Sequence, residues 1–220
     1  MTNKITDFEF VISVLEESYY KTRSPSVTLI ANTTKNPFNI LVSTLISLRT
    51  KDQVTLASSK KLFEKVSSFG DIEKLTEEEI EKLIYPAGFY KTKAIRLKQI
   101  ALMIKNDFDG KTPDTMENLL KLPGVGRKTA NLVLILGFDK DGICVDTHVH
   151  RLSNRFGWVS TKTPEQTEFA LLDFLPQIYW KKINDYLVSY GQMVCKPTSP
   201  HCSQCGLNQC CPKIGVTKNR

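Results

Sequence analysis

The sequence of 220 residues contains no long hydrophobic run and no low-complexity segment. Its longest apolar stretches, such as residues 132–136, are far shorter than the roughly 20 residues that a membrane-spanning helix requires. Acidic and hydroxyl side chains interrupt the N-terminal segment, which therefore does not resemble a secretory signal. We expect a soluble intracellular protein without a targeting segment.

The two-residue periodicity of β-strands is also lacking, so we expect no β-sheet. Helix-start signals occur instead at Asn36-Pro37, Asp52, Thr163-Pro164 and the capping boxes Thr6-x-x-Glu9 and Thr76-x-x-Glu79. Apolar periodicity predicts helices at about residues 38–48, 52–66, 92–106, 113–122, 127–137, 147–156 and 176–192. The predicted fold class is all-α.

Acidic residues are fewer than basic ones: the sequence has 23 aspartates and glutamates and 30 lysines and arginines, which gives a net charge of +7 at pH 7. Such a charge permits a polyanionic partner such as a nucleic acid. A solvated basic helix face would produce the same balance. Charge alone therefore leaves both interpretations open.

Cysteine is almost absent from the first 190 residues, where only Cys144 occurs, and we assign that residue to core packing. A secreted disulfide protein would spread its cysteines over the fold, so the C-terminal group indicates a metal or cluster site. Four of its five members follow a C-x6-C-x2-C-x5-C pattern: Cys195, Cys202, Cys205 and Cys211. Spacing alone does not distinguish zinc from a [4Fe–4S] cluster.

The segment LPGVGRKTAN at residues 122–131 predicts two helices joined by a tight turn. Pro123 ends the first helix, while Gly124 and Gly126 allow positive φ and a close approach of a ligand to the backbone. The amides at the start of the second helix then form an anion site, for which a DNA phosphate is the natural occupant. A plain pair of packed helices would explain the same glycines.

Lys128 and Asp146 favour a catalytic interpretation. Lys128 falls in the first turn of the second helix, where the positive helix end and Arg127 disfavour protonation, and a neutral amine is what a nucleophile requires. Asp146 precedes a helix that begins at Thr147, so it is predicted to cap that helix. A carboxylate there also suits a reaction that builds positive charge on a sugar. A phosphate-binding lysine and a purely capping aspartate are the alternatives.

Together with Val145-Asp146-Thr147-His148 and Arg151, this hairpin resembles the helix–hairpin–helix, Gly/Pro-loop and aspartate signature of the endonuclease III family of DNA glycosylases. The similarity extends from about residue 36 to residue 211. It implies a two-lobed all-α fold, with a helical barrel at residues 30–140 that carries the hairpin. Residues 1–29 and 141–220 would form a second lobe with an iron–sulfur cluster.

The resemblance also implies roles for individual residues. Lys128 would attack the sugar with the assistance of Asp146, whereas relatives that only excise mispaired bases carry serine or tyrosine at the lysine position. The four patterned cysteines would bind a [4Fe–4S] cluster, leaving Cys210 as the spare. DNA would be contacted by Gly124, Gly126 and Arg127.

Two further segments resemble the parts of the family that invade the base stack. Arg49 stands where many relatives carry glutamine and would fill the gap left by an extruded base, although a phosphate contact is the alternative. Phe89 replaces a common leucine and would wedge between bases. The basic helix that follows contains Lys91, Lys93, Arg96 and Lys98, and a solvated face would look the same.

The expected function is that of a bifunctional DNA glycosylase and AP lyase of base excision repair. It would excise damaged, oxidised pyrimidine bases from duplex DNA as a monomer, in the cytoplasm or nucleoid. One alternative is a mismatch- or adenine-directed glycosylase, against which Lys128 and the short segment after Cys211 argue. A noncatalytic DNA-binding or redox-sensing cluster protein would keep the hairpin and the cysteines without needing Lys128 and Asp146 together.

Overall fold

The computed structural model describes residue 5, residues 7–21 and residues 24–220. This part of the chain contains twelve α-helices and no β-strand, which confirms the all-α prediction. None of these helices is long and apolar enough to cross a membrane. The predicted capping box includes Thr6, which lies outside the described residues. Asp7 caps the first helix by accepting from the Phe10 amide at 3.0 Å.

The chain divides into two compact units, Ser26–Lys140 and the combination of Met1–Pro25 with Asp141–Arg220. The first unit contains α2 (Ser26–Thr34), α3 (Pro37–Ser47), α4 (Asp52–Phe63), α5 (Phe69–Lys74), α6 (Glu77–Ile84), α7 (Tyr90–Asp107), α8 (Met116–Lys121) and α9 (Arg127–Phe138). The second contains α1 (Phe8–Tyr20), α10 (Thr147–Arg155), α11 (Pro164–Phe174) and α12 (Trp180–Met193), with 3-10 turns at Gln177–Tyr179 and Cys202–Gln204.

Polar side chains start several helices at the predicted positions. The Asn36 side chain accepts from the Phe38 amide at 3.0 Å, and Pro37 follows as the first residue of α3. Thr76 and Glu79 form the predicted capping box, in which each side chain accepts from the other's backbone amide at 3.2 and 2.7 Å. These local hydrogen bonds satisfy amide donors that have no partner inside the helix.

The sequence did not predict α2 and α5, and it placed the start of α8 too early. Helix α2 is rich in threonine and other weak helix formers, and its apolar face, with Val27 and Ile30, packs against α3. Helix α5 has only six residues. Helix α8 starts at Met116 because the Thr115 side chain occupies the cap position and accepts from the Asn118 amide.

Helix α3 is the centre of the Ser26–Lys140 unit. Ile40, Leu41, Val42 and Ile46 are all fully buried, so this helix is apolar around most of its circumference rather than along one stripe. It packs against α2, α4, α7 and α9. The last turn of α3 is therefore held from several sides, and the segment that follows it carries Arg49.

The second unit is assembled from both ends of the chain. Helix α1 packs on α12, and its buried residues join a core that includes Phe156 and Trp158. The Tyr186 hydroxyl of α12 donates to Glu16 of α1 at 2.7 Å, and Trp158 Nε1, after α10, donates to the Ile5 carbonyl, before α1, at 3.2 Å. The core of this unit consequently requires residues that are far apart in sequence.

Candidate functional site

The hairpin between α8 and α9 has the predicted tight turn, closed by a hydrogen bond from the Val125 amide to the Leu122 carbonyl at 3.1 Å. Gly124 adopts φ +79° and so needs glycine, whereas Gly126 is extended at φ −103°. Of the two glycines, Gly124 therefore uses the positive φ that glycine allows, and Gly126 does not. A Cβ at Gly126 would meet nothing within 4 Å, so the backbone is open to approach on that face.

Lys128 lies in the first turn of α9, directly after Arg127. Gly126 occupies the cap position and has no side chain, so no side-chain hydrogen bond caps this helix. The first-turn amides therefore direct their donors toward the helix N-terminus, which carries the positive end of the helix dipole. The amine of Lys128 and an anion-binding helix end thus belong to the same turn.

Asp146 caps α10 as predicted. Its Oδ1 atom accepts from the His148 amide at 2.8 Å and from the Val149 amide at 2.9 Å, so Oδ2 takes no part in the cap. The preceding residue, Val145, is buried in the core of its unit, which fixes the backbone before the cap. Lys128 and Asp146 belong to different units, and each lies at the N-terminal end of a helix.

The structure brings Arg49 and Phe89 together within the Ser26–Lys140 unit. Both lie in the left-handed backbone region, at φ 53° and 57°, where side chains other than glycine are strained. The Arg49 Cζ atom stands 5.5 Å from the centroid of the Phe89 ring, a cation–π distance. Phe89 is 61% exposed and both residues line a pocket of about 410 Å³. A large exposed aromatic ring on a strained turn is a feature that folding alone does not require.

The basic helix α7 is not simply a solvated face. Lys93 is only 5% exposed, and its Nζ atom donates to the Ile46 and Leu48 carbonyls at 2.6 Å each and to Thr50 Oγ1 at 2.8 Å. Burial lowers the pKa of Lys93 to about 8. Lys98 similarly donates to the carbonyls of Glu73 and Leu75 at 2.6 Å. Two lysines of α7 therefore bind the C-terminal ends of α3 and α5.

Arg96, on the same helix, connects the pocket to the hairpin. Its side chain lines the pocket beside Arg49 and Lys93. It also lies against Gly124, where an added Cβ would come within 2.9 Å of the Arg96 Cδ atom. Arg49 and Arg96 are exposed whereas Lys93 is buried, so a surface with two exposed cations extends from the pocket to the turn that precedes α9.

The four patterned cysteines line one small pocket near the C-terminus. Cys210 is exposed and does not line this pocket. Burial raises the pKa of the Cys211 thiol to about 11 and also raises the pKa of Cys202. Over the part of the chain that the structure describes, no group of three or more His, Cys, Asp or Glu side chains is arranged to hold a metal ion.

Arg155 and Tyr190 contact these cysteines, and the sequence did not single out either residue. Arg155 is 7% exposed, and its Nη1 atom donates to Cys195 Sγ at 3.4 Å and to the Lys196 carbonyl at 2.6 Å. Its Nη2 atom donates to the Pro197 carbonyl at 2.8 Å. The Tyr190 hydroxyl lies 3.1 Å from Cys205 Sγ. Their partners are distant in sequence, so no local pattern signalled them.

The two histidines near Asp146 take part in hydrogen bonds within their own unit. His150 Nδ1 lies 2.7 Å from Thr167 Oγ1, and His148 Nδ1 lies 3.1 Å from the Arg151 guanidinium. Arg151 also donates to the Cys195 carbonyl at 3.0 Å. These contacts link the start of α10 to the first of the patterned cysteines.

Residues 42–177 match the model of the HhH-GPD superfamily of base excision DNA repair proteins. The chain is 48% identical to Endonuclease III of Thermotoga maritima over 176 residues, which are 80% of this chain and 83% of that protein. The chain belongs to the endonuclease III family. It is a base excision repair DNA glycosylase with lyase activity. The family resemblance seen in the sequence is thereby confirmed.

Other members and relatives show the same relationship. Endonuclease III homolog 2, chloroplastic, of Arabidopsis thaliana is 45% identical over 80% of this chain and 48% of its own length. A trapped covalent intermediate of endonuclease III with DNA aligns with a TM-score of 0.77 at 34% identity, covering 81% of this chain and 84% of that one. A thermostable thymine-DNA glycosylase aligns with a TM-score of 0.79 at 26% identity, covering 93% of this chain and 95% of that one.

Replacing Arg155 by methionine tests how much the cysteine segment depends on this buried cation. Arg155→Met keeps the apolar stem but leaves buried carbonyls without donors, so we expect the free energy of unfolding to fall by about 2–4 kcal/mol. Both tryptophans, Trp158 and Trp180, belong to the same unit as Arg155, so their fluorescence reports the unfolding of that unit in urea.

Lys162→Met is the matched control, because Lys162 is an exposed cation of the same unit. Variants should be compared at equal metal content. A midpoint shift for Arg155→Met no larger than that of Lys162→Met would contradict the role assigned to the buried guanidinium.

Proposed function

We propose that the chain excises oxidised pyrimidine bases from duplex DNA as a monomer and then nicks the strand 3′ to the abasic site through a Schiff base on Lys128. The observation that carries this proposal is the position of Lys128, in the first turn of a helix that has no side-chain cap. A phosphate bound by the first-turn backbone amides of α9 would hold the sugar–phosphate backbone near the Lys128 amine.

Lys128 supplies the nucleophile. Its neutral amine forms a bond to the anomeric carbon of the damaged nucleotide as the bond from that carbon to the base breaks, and the base leaves. Loss of a proton and opening of the sugar give the iminium ion. The iminium acidifies the adjacent C–H, and proton loss there expels the 3′ phosphate. Water then hydrolyses the Schiff base and releases Lys128.

Asp146 supplies negative charge where the sugar becomes cationic. Departure of the base builds oxocarbenium-like charge, which a fixed carboxylate stabilises without reorganisation. The cap bonds to Oδ1 fix the orientation of the group, and Oδ2 has no role in that cap. One aspartate can therefore cap α10 and also act on the substrate.

Arg49 and Phe89 would enter the base stack while Gly124, Gly126 and Arg127 bind a phosphate. Extrusion of a nucleotide leaves a gap that an aromatic ring and a planar guanidinium can fill by stacking. The 61% exposure of Phe89 and its contact with Arg49 support this role. The open face at Gly126 and the positive helix end of α9 support the phosphate contact.

Cys195, Cys202, Cys205 and Cys211 would hold a [4Fe–4S] cluster. The donor set fits, because all four cysteines line one pocket and the Arg155 cation, beside Cys195, balances part of the negative charge that thiolates carry. When bound, the cluster would cross-link the C-terminal segment and so stabilise its fold. Loading must release the protons of the buried thiols, whose pKa values are raised at Cys202 and Cys211.

Lys128→Gln should abolish strand nicking and the adducts that borohydride traps between protein and DNA, because glutamine has no nucleophilic amine. Affinity for abasic duplex should largely survive, since one cation among several contributes only part of the phosphate binding. Lys121→Gln, at the end of the other hairpin helix, is the matched control and should trap normally. Trapping by Lys128→Gln would show that another amine attacks the sugar.

Asp146→Asn should lower base excision by about 10²-fold, as expected for loss of one electrostatic stabiliser. Asparagine keeps an oxygen that can accept both cap bonds, so the thermal midpoint should change little. Nicking of a preformed abasic site should fall less, because the base has already left. Asp7→Asn alters a cap aspartate in the same unit and should excise normally. Equal losses for excision and nicking would contradict the role given to Asp146.

Protein purified without air should contain about four irons and four acid-labile sulfides per chain. Cys202→Ser should lose this content and the yellow-brown colour together with stability, whereas Cys210→Ser should retain both. Iron, zinc and sulfide analysis of the two variants provides the comparison. Stoichiometric zinc without labile sulfide would show that the four thiolates hold a zinc ion instead.

A further inference from the structure

The two turns that carry Arg49 and Phe89 are joined by more than the contact between those side chains. Gly88 packs directly on the Arg49 backbone, and a Cβ added there would clash with the Arg49 carbonyl oxygen. The Gly88 amide also donates to Thr50 Oγ1 at 3.1 Å. The backbone of one turn therefore rests against the backbone of the other.

Lys93 also holds the two turns together. Its ammonium group donates to the Ile46 and Leu48 carbonyls and to the same Thr50 hydroxyl that Gly88 uses. Three acceptors at 2.6–2.8 Å match the three N–H donors of a protonated lysine. Because Lys93 is in the first turn of α7, directly after the Phe89 turn, it ties that turn to the end of α3.

We propose that Lys93 is a positioning residue that locks the Arg49 and Phe89 turns into one preassembled wedge for base extrusion. The inference rests on the proposed function, since it concerns how the two probe residues reach the DNA. Lys93 itself is buried and acts through the turns rather than on the nucleotide.

The physical basis is preorganisation. Arg49 and Phe89 both have positive φ, a conformation that costs of order 1–3 kcal/mol per residue unless the surroundings impose it. Lys93 and Thr50 supply those surroundings by fixing the carbonyl before Arg49 and the amide before Phe89. Without them, each turn would relax, and the wedge would have to be assembled during each encounter with DNA.

Lys93→Met is the primary variant, because methionine retains an apolar stem and donates no hydrogen bond. Lys98→Met is its matched control, since Lys98 lies on the same helix and also binds two carbonyls at 2.6 Å, but at the end of α5 and away from the pocket. Thr50→Val is a second, milder variant that removes only the shared hydroxyl. It keeps the test decisive if Lys93→Met does not fold.

Each variant is assayed on two substrates: a lesion in duplex DNA and an abasic site in a single strand, where no stack must be invaded. We expect Lys93→Met to lower duplex excision by about 10- to 100-fold, the scale of a 1 Å misplacement, and single-strand nicking by less than about 3-fold. Thr50→Val should show the same pattern with a smaller loss. Lys98→Met should show no difference between the two substrates.

Two further measurements separate a positioning role from a structural one. In a variant that already carries Arg49→Ala and Phe89→Ala, Lys93→Met should lower duplex excision by less than about a further 2-fold. Substitutions that act through the same wedge do not have additive effects. The fluorescence of 2-aminopurine beside the lesion, which rises on unstacking, should increase with wild-type protein and stay low with Lys93→Met.

Equal losses on both substrates, a fully additive loss in the double-alanine background, or the same defect in Lys98→Met would overturn the role of Lys93. Failure of the proposed function gives a different result. If the wild-type chain neither nicks the single-stranded abasic site nor forms a trapped adduct, the lysine chemistry is wrong whatever the Lys93 variants do.

Discussion

Helices that end inside a folded unit leave carbonyl groups that need donors, and two lysine ammonium groups of α7 supply them in the Ser26–Lys140 unit. The last carbonyls of α3 are bound by Lys93, and those of α5 by Lys98. A cation at a helix C-terminus also opposes the negative end of the helix dipole. The position of Arg49 depends on the first of these contacts, because its turn continues directly from the end of α3.

The same solution recurs in the unit that carries the cysteines. Arg155 ends α10 and binds carbonyls of the segment that follows Cys195. Asp146 begins the same helix, so one helix of nine residues connects a cap carboxylate to the cysteine pocket. In both units the residues with proposed chemistry stand at helix ends, where backbone groups lack partners and side chains or substrates can supply them.

Local signals predicted the helix starts, because a cap residue interacts with amides only two or three positions away. Asn36, Thr76 and Asp146 were identified from the sequence for this reason. The sequence placed Lys93 on a basic helix but did not predict its buried contacts, since its acceptors lie 43 to 47 positions earlier in the chain. The partners of Arg155 lie 40 to 42 positions away, which no periodicity reveals. Charge patterns alone cannot distinguish such buried cations from solvated ones.

The assembly of one unit from both ends of the chain sets the order in which the protein can fold during synthesis. Glu16 and its partner Tyr186 are 170 positions apart, and Ile5 and Trp158 are 153 positions apart. At about 5–20 residues per second, the delay between translating the two sides is on the order of 10–30 s. The Ser26–Lys140 unit is translated completely within that interval. The apolar face of α1 therefore leaves the ribosome before α12 does, and it stays without its packing partner until α12 has been translated.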